Sequence, residues 1–377
     1  MALAVERHWP EDRKLFGIAL TRYGHAQELE RIRWVEAGHP VPDEAGETAA
    51  REMLGAARAI KPVDLLLALF SGGGSALLSL PVEGVSIGDL RAVTRDLLNS
   101  GATIQEINTV RKHLSQIQGG RLAAACKAPV LALIISDVTG DDPTHIASGP
   151  CAPDPTSFQD AVDVLNRFDV KPPQAVLKHL IAGLRGDREE TPKPGSAAFA
   201  HVENRVVATA RRSLEAAAQV FRANGIEPVI LADSITGEAR EVARVMAAIA
   251  REILAHGSPF RPPVALLSGG ECTVTVRRAN GRGGRCAEFL LGLAIELASA
   301  AGVHAIAADT DGIDGSENNA GAVLAPDSLA RALAQGIDAR KYLAANDSYG
   351  LFSALGDLVV TGPTRTNVND YRAILIS

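Results

Sequence analysis

Ser71-Gly72-Gly73-Gly74-Ser75 follows an apolar run and precedes an apolar helix start. Consecutive glycines let backbone N–H groups converge on an anion, and a helix N-terminus beyond them favours negative charge. The stretch is not a Walker A loop, and it lacks the third glycine of the dinucleotide fingerprint; the competing reading is a tight turn. Ser136-Asp137-Val138-Thr139-Gly140-Asp141-Asp142-Pro143 ends a second apolar run. Ligands of open α/β sheets bind at that edge. Asp137 there can hold Mg2+ or take a proton from a hydroxyl, whereas at least one of Asp141 and Asp142 reads as a solvated turn or helix cap. Asn108, Arg111, Lys112 and His113 share one helix, where cations can neutralise a phosphate or carboxylate or simply face solvent. Gly281-Arg282-Gly283-Gly284-Arg285 precedes Cys286-Ala287-Glu288 and an apolar helix. That pattern fits a flexible loop delivering a guanidinium to an oxyanion, or a hairpin turn with solvated arginines. Asp309-Thr310-Asp311-Gly312-Ile313-Asp314-Gly315 fails as a calcium loop, because Ile313 falls on a ligand position and Asp314 where glycine belongs. An active-site edge suits it better. Asn346-Asp347-Ser348 and the 361–367 stretch are polar loops of similar kind, or ordinary turns. There is no HExxH and no GxSxG, and the 9 scattered histidines argue against His-ligated zinc.

The elements that must carry these residues follow from periodicity. Apolar runs predict strands at Leu15–Thr21, Leu65–Phe70, Val130–Ile135, Arg205–Ala210, Pro228–Leu231, Val264–Leu267 and Val303–Ala308. Between them, helices are predicted over Asp43–Ile60, along Ile104, Ile107, Val110, Leu114 and Ile117 with a stop at Gly119-Gly120, over Ser213–Ala223, up to His256, and over Phe289–Leu297. Strands alternating with helices predict α/β architecture: a Rossmann-like parallel sheet with helices on both faces. Gly183–Ser196 reads as an exposed loop and Gly257–Pro263 as a linker. LALFSGGGSAL at Leu67–Leu77 and VALLSGGECTV at Val264–Val274 reuse one strand-turn solution.

At 377 residues the chain has room for two or three domains. Hydrophobic residues are 46% and charged residues 22%, which excludes disorder and coiled coil. The net charge is 38 − 44 = −6 without a basic stripe, which argues against nucleic acid as a partner. No apolar run approaches the ~20 residues that span a bilayer. The N-terminus has no signal-peptide pattern, and the 4 cysteines lack framework spacing, so a cytoplasmic protein with reduced thiols is expected.

Taken together, LFSGGGSALL, GATIQEINTVRKHLSQIQGGRLA, SDVTGDDPTHIASGP, LLSGGE, GRGGRCAEF, DTDGIDG, NDSY and TGPTRTNVND resemble the bacterial and archaeal type of glycerate 2-kinase. That type carries a C-terminal MOFRL domain, and the resemblance runs in order from about Ile18 to the C-terminus. It implies a Rossmann-like kinase domain over 1–256 and a smaller C-terminal α/β domain with a mixed sheet over 264–377. It further implies transfer of phosphate from ATP, with Mg2+, to the 2-hydroxyl of D-glycerate in the cleft between them. By resemblance, Ser71, Gly72, Gly73, Gly74 and Ser75 hold substrate or phosphate groups. Arg285 stabilises the transferring charge, and Asp137 orients or deprotonates the hydroxyl or holds Mg2+. Asn108, Lys112, Glu271, Asp311, Asp314 and Asn346 complete the substrate and nucleotide set. Two departures stand out. The family's opening strand and Gly-Lys-Ala segment have no counterpart before Met1-Ala2-Leu3-Ala4, which matches the middle of the helix that follows them; and the family's Asn after GRGGR is Cys286 here. A hydroxypyruvate reductase using NAD(P)H and a ligand-binding protein without activity remain the alternatives. The expected partner is a small molecule, with no nucleic acid and no membrane, and a homodimer is left open.

Overall fold

The apolar run near the start of the chain forms β1 (Gly17–Arg22). It pairs in parallel with β2 (Ile32–Ala37), Gly17 opposite Ile32 and Arg22 opposite Ala37. The computed structural model describes residues 1–276 and 281–377, and they fall into two units, Met1–Val207 and Ala208–Ser377. In the first, β3 (Leu66–Phe70) and β4 (Val130–Ile135) pair in parallel, Leu66 opposite Val130, and β5 (Val202–Ala208) completes a sheet of order β3-β4-β5. The helix Glu44–Ala59 begins where Asp43 accepts the Gly46 N–H at 2.9 Å. Its Ala50, Leu54 and Ala57 share one core cluster with Ala68 of β3 and with Val130, Ala132 and Ile134 of β4. A second cluster joins the helices Ile87–Asn99, Ile104–His113, Phe158–Arg167 and Gln174–Leu184.

The helix Ile104–His113 starts on a capping box between Thr103 and Glu106 and ends at Leu114, short of the Gly119-Gly120 stop. Ser115 ends it: its hydroxyl accepts the N–H groups of Ile117 and Gln118, and its backbone bridges Pro81. Local side-chain hydrogen bonds of this kind compete with helix continuation. The stretch Gly183–Ser196 is not wholly exposed either. Glu190 accepts from His113 Nε2 at 3.0 Å and from the Phe158 N–H at 3.0 Å, and Thr191 is buried. Burial pushes the Glu190 carboxyl up, but hydrogen bonds from His113, Phe158 and Thr191 outweigh it and bring it down to about 2.

The second unit is built on a mixed sheet of order β12-β11-β10-β13-β8-β6, with a separate two-stranded ladder of β7 and β9. The strands are β6 (Glu227–Ala232), β7 (Gly237–Glu238), β8 (Val264–Gly270), β9 (Cys272–Thr273), β10 (Val303–Asp309), β11 (Gly321–Leu324), β12 (Leu358–Val359) and β13 (Asp370–Ile376). β13 runs antiparallel to both its neighbours, β8 and β10, while β6 runs parallel to β8. Helices cover both faces: Ala210–Ala223 lies on one, and Ala239–His256 with Arg285–Leu297 packs on the other. Thus α/β architecture, parallel pairing and a mixed C-terminal sheet are all present. The segment 208–256 belongs to the second unit by strand pairing, because β6 hydrogen-bonds to β8 across the expected linker. No helix among the described residues is long and apolar enough to cross a membrane.

Candidate active site

The turn after β3 is crowded, and its glycines are there for close approach. A Cβ on Gly72 would collide with Asp137 Oδ2, so Asp137, just past the end of β4, faces the turn directly. A Cβ on Gly73 would stand 2.7 Å from His39 Nε2, and one on Gly74 would stand 2.6 Å from the Ala147 side chain. Ser71 leads into the turn, and Gly73, at φ 78°, also needs the conformational freedom of glycine. Ser75 Oγ meets Ser148 Oγ at 2.8 Å, and Ser148 in turn donates to Asn108 Oδ1 at 3.2 Å. Ala147, Ser148 and Gly149 take φ values of 51°, 59° and 60° in succession. Non-glycine residues held in that region are strained by about 1–3 kcal/mol each, and such strain concentrates at functional sites. Three motifs distant in sequence therefore meet here: the Gly turn, Asp137, and the Asn108 helix with Ser148.

Lys112 leaves the same helix but turns inward. Its side chain is 1% exposed and its Nζ donates to Asp154 Oδ1 at 2.9 Å. The solvated-face reading fails for this residue. Burial pushes the Asp154 carboxyl up, but the Lys112 charge and the Thr156 donors hold it below the usual carboxylate range.

In the second unit Arg285 occupies the first turn of the helix Arg285–Leu297, rather than a loop before it. Its Nε donates to Asp370 Oδ1 at 2.7 Å, one Nη to Glu271 Oε1 at 2.9 Å and the other to Asp309 Oδ2 at 2.6 Å. The topology explains the convergence. β10 and β8 end, and antiparallel β13 begins, at one edge of the sheet, which brings Asp309, Glu271 and Asp370 around a single guanidinium. Arg372, 1% exposed, donates to the second oxygen of Asp370 and to the Gly270 carbonyl, both at 3.1 Å. Burial pushes the Asp309 carboxyl up to about 7; Arg285 and the Asp311 N–H oppose this, and the Asp311 and Asp370 charges add to it. The Arg285 guanidinium stays firmly charged, because three carboxylates outweigh its burial.

The remaining candidates have supporting places. Asp311 Oδ1 accepts the Ile313 N–H at 2.8 Å and shapes the loop. Asp314 is fully buried, and its two oxygens accept the N–H groups of Cys286 at 3.0 Å and Ala287 at 2.8 Å. It caps the Arg285 helix from across the chain. Burial raises its carboxyl to about 6 against those two N–H groups. Cys286 acts through its backbone, for its thiol is buried in the core and pushed well up by that burial. Asn346 donates to Glu288 Oε2 at 2.9 Å, and Glu288 accepts from Arg240 Nε at 3.0 Å, a buried polar network beneath the site. Among the described residues no group of three His, Cys, Asp or Glu side chains stands ready to hold a metal ion.

The GRGGR glycines are packed rather than flexible. A Cβ on Gly284 would meet the Asp314 carboxylate and its backbone, with Gly315 N at 2.6 Å. Backbone cannot yield as a side chain can, so Gly284→Ala is expected to lower stability by about 1–3 kcal/mol in denaturant unfolding. Gly55, on the exposed face of the helix Glu44–Ala59 with nothing within 4 Å of its missing Cβ, is expected to do the reverse. Gly55→Ala should add about 1 kcal/mol through helix propensity. Equal effects at the two positions would contradict the packing argument.

Residues 1–181 match a family described as a domain of unknown function (DUF4147), and residues 264–370 match the MOFRL family. A relative from Agrobacterium vitis with the provisional name hydroxypyruvate reductase is 53% identical over 378 residues, covering 100% of this chain and 84% of its own. Glycerate 2-kinase of Pyrococcus horikoshii is 42% identical over 355 residues, covering 94% of this chain and 80% of its own. The crystal structure of glycerate kinase from Thermotoga maritima aligns with a TM-score of 0.87 at 40% identity, covering 96% of this chain and 85% of that one. The chain belongs to the glycerate kinase family. For a member of this kinase family, the residues that sequence reasoning passed over are informative. Asp370 and Arg372 lie in β13, whose charged residues interrupt an apolar pattern; the one signal was that TGPTRTNVND ends on Asp370. Asp154 and His39 carried no motif signal at all.

Proposed function

We propose that this member of the glycerate kinase family transfers the γ-phosphoryl group of ATP to the 2-hydroxyl of D-glycerate, giving 2-phosphoglycerate and ADP. The observation that carries the reading is Arg285, a partly exposed guanidinium fixed by carboxylates from three adjacent strand ends. A fork positioned in advance costs no reorganisation when charge develops on the transferring group. Glu271 is its outermost partner, 55% exposed, and is the one an incoming phosphate oxygen can displace. In the first unit, the turn Ser71 to Ser75 and Asn108 bind the acceptor, and Asp137 takes the proton of the 2-hydroxyl. The oxygen forms its bond to phosphorus as the bond to ADP breaks.

Mg2+ needs only one or two protein carboxylates when phosphates supply its other ligands. Asp137 fits that requirement, because its carboxylate faces Gly72, where no side chain intervenes. Bound there, the ion would neutralise phosphate charge. The same reading places the enzyme in the cytoplasm, in keeping with 4 unpaired buried cysteines.

The test is an ATP-dependent assay with D-glycerate, coupled through enolase without phosphoglycerate mutase, so that only 2-phosphoglycerate gives a signal. Turnover is the expected result. No turnover, with hydroxypyruvate driving NADH oxidation instead, would overturn the kinase reading.

A further inference from the structure

Arg22, the last residue of β1, lies opposite Ala37 of β2, and His39 follows two residues later. Both therefore leave the same edge of that parallel pair, the C-terminal edge where α/β proteins bind ligands. The short helix Gly74–Leu77 packs on β1. His39 Nε2 stands 2.7 Å from the place a Gly73 Cβ would take, so the imidazole lies on the turn itself. Arg111 comes from another direction. It is one helical turn beyond Asn108, on the same face, and Asn108 is tied through Ser148 to Ser75.

The two arginines lack counter-ions among the described residues. The hydrogen bond found for Arg111 is a long one to Thr94 Oγ1, at 3.4 Å. Burial alone pulls its guanidinium down to about 10, with no carboxylate opposing the shift. Among the described residues neither Arg22 nor Arg111 forms an ion pair. The His39 imidazole is lowered first by burial and then by the Arg22 and Arg111 charges, which puts both within electrostatic reach of it. A desolvated cation without a partner is unfavourable, and an anion from outside the chain relieves it.

The turn also indicates which anion. The Gly74 N–H goes to the Ser71 carbonyl, and those of Ala76 and Leu77 to the Gly73 carbonyl. Those three N–H groups are spent within the turn, which leaves Gly72, Gly73 and Ser75 to donate to a ligand, and a helix of 4 residues has little dipole to offer a phosphate. The positive charge then comes from the side chains, and a guanidinium fork matches a planar carboxylate. We propose that Arg22, His39 and Arg111 form a carboxylate subsite at the Gly73 turn that holds the acid group of a 2-hydroxy acid substrate. The role of the acid as phosphoryl acceptor rests on the kinase reading; the binding itself does not.

The experiment is calorimetric titration of the full chain and of Arg111→Met and Arg22→Gln with D-glycerate, glycerol, ATP and inorganic phosphate. Each substitution should weaken D-glycerate binding about 10- to 100-fold, the loss of one charge-assisted hydrogen bond. ATP affinity should stay unchanged, and glycerol, lacking the acid, should bind no variant better than another. Arg22→Gln lies at a strand end and guards against misfolding of the more buried Arg111 variant. Loss of ATP or phosphate affinity with D-glycerate unchanged overturns the carboxylate assignment. Unchanged affinity for every probe overturns the subsite. A wild-type chain that binds D-glycerate without forming 2-phosphoglycerate overturns the kinase reading alone, and failure to bind D-glycerate at all overturns both.

Discussion

Arg285→Met lowers the rate of glycerate phosphorylation by about 10³-fold or more, and it destabilises the chain most above neutral pH. The rate follows from the role proposed for Arg285, since a guanidinium stabilising transferring phosphoryl charge contributes about 10³ to 10⁵ in turnover. The stability effect follows from what methionine leaves behind. Asp309, 6% exposed, loses the cation that neutralises it, while Asp370, 2% exposed, loses one of two and keeps Arg372. Breaking a buried pair from one side costs about 3–5 kcal/mol. The sign of the pH dependence is set by Asp309. Its folded-state value of about 7 lies above the ordinary 3.8, so its contribution to stability is full below pH ~4 and is lost as pH rises through about 7. Asp314, raised to about 6, titrates in the same sense. Arg285 opposes both rises, so the variant should move Asp309 higher still. Thermal unfolding at pH 5 and pH 8 reads this out: the gap between wild type and Arg285→Met should be wider at pH 8. A gap independent of pH would show that Arg285 does not neutralise Asp309. Arg285→Lys keeps the charge but not the three-way fork, and should fall between them in both stability and rate.

What could be read from the sequence was what local pattern specifies. β4 is found over the same six residues that its apolar run marks, because a strand covered on both faces must be apolar throughout. The helix Glu44–Ala59 was legible from its Asp43 cap and its amphipathic spacing. β13 was not, since Asp370 and Arg372 break its pattern and its place between β8 and β10 is settled by pairing over long separations. Arg285 could be singled out from its glycine neighbours, but its partner Asp370 is 85 residues away. The GRGGR glycines misled for a related reason. Glycine marks both mobile loops and tight contacts, and only the backbone of Asp314 and Gly315, met in three dimensions, decides for contact. Glu190 sat in a polar stretch that looked solvated, although its hydrogen bonds to His113 and Phe158 hold it against two helices. In each case the missing information was the partner.

Lys112 and Asp154 give the second large effect, and with it a way to separate support from binding. Lys112→Met should destabilise the first unit by about 3–5 kcal/mol at neutral pH, because it strands the Asp154 carboxylate in the interior. Asp154 Oδ1 would keep Thr156 N–H and Oγ1 as donors, at 3.0 and 2.7 Å, but its Oδ2 has no hydrogen bond to fall back on. Asp154→Leu should cost a similar amount by stranding Lys112. The double variant should recover much of the loss, since apolar side chains of similar volume can replace a buried ion pair at little or no cost. Asp154 is held below its ordinary range, so the pair's contribution is present above pH ~4 and disappears as pH falls below it. Denaturant unfolding of the four proteins at pH 7 gives the coupling energy, and additive losses would refute a mutual pair. The same four proteins then address Lys112 as a ligand. A lysine that serves only the fold should lose stability on substitution while D-glycerate affinity survives in the rescued double variant. A lysine that also contacts substrate should leave the double variant stable and unable to bind. The side chain's 1% exposure favours the first outcome, so the cation that meets the substrate on this helix is expected to be Arg111, one residue earlier and without a carboxylate partner among the described residues.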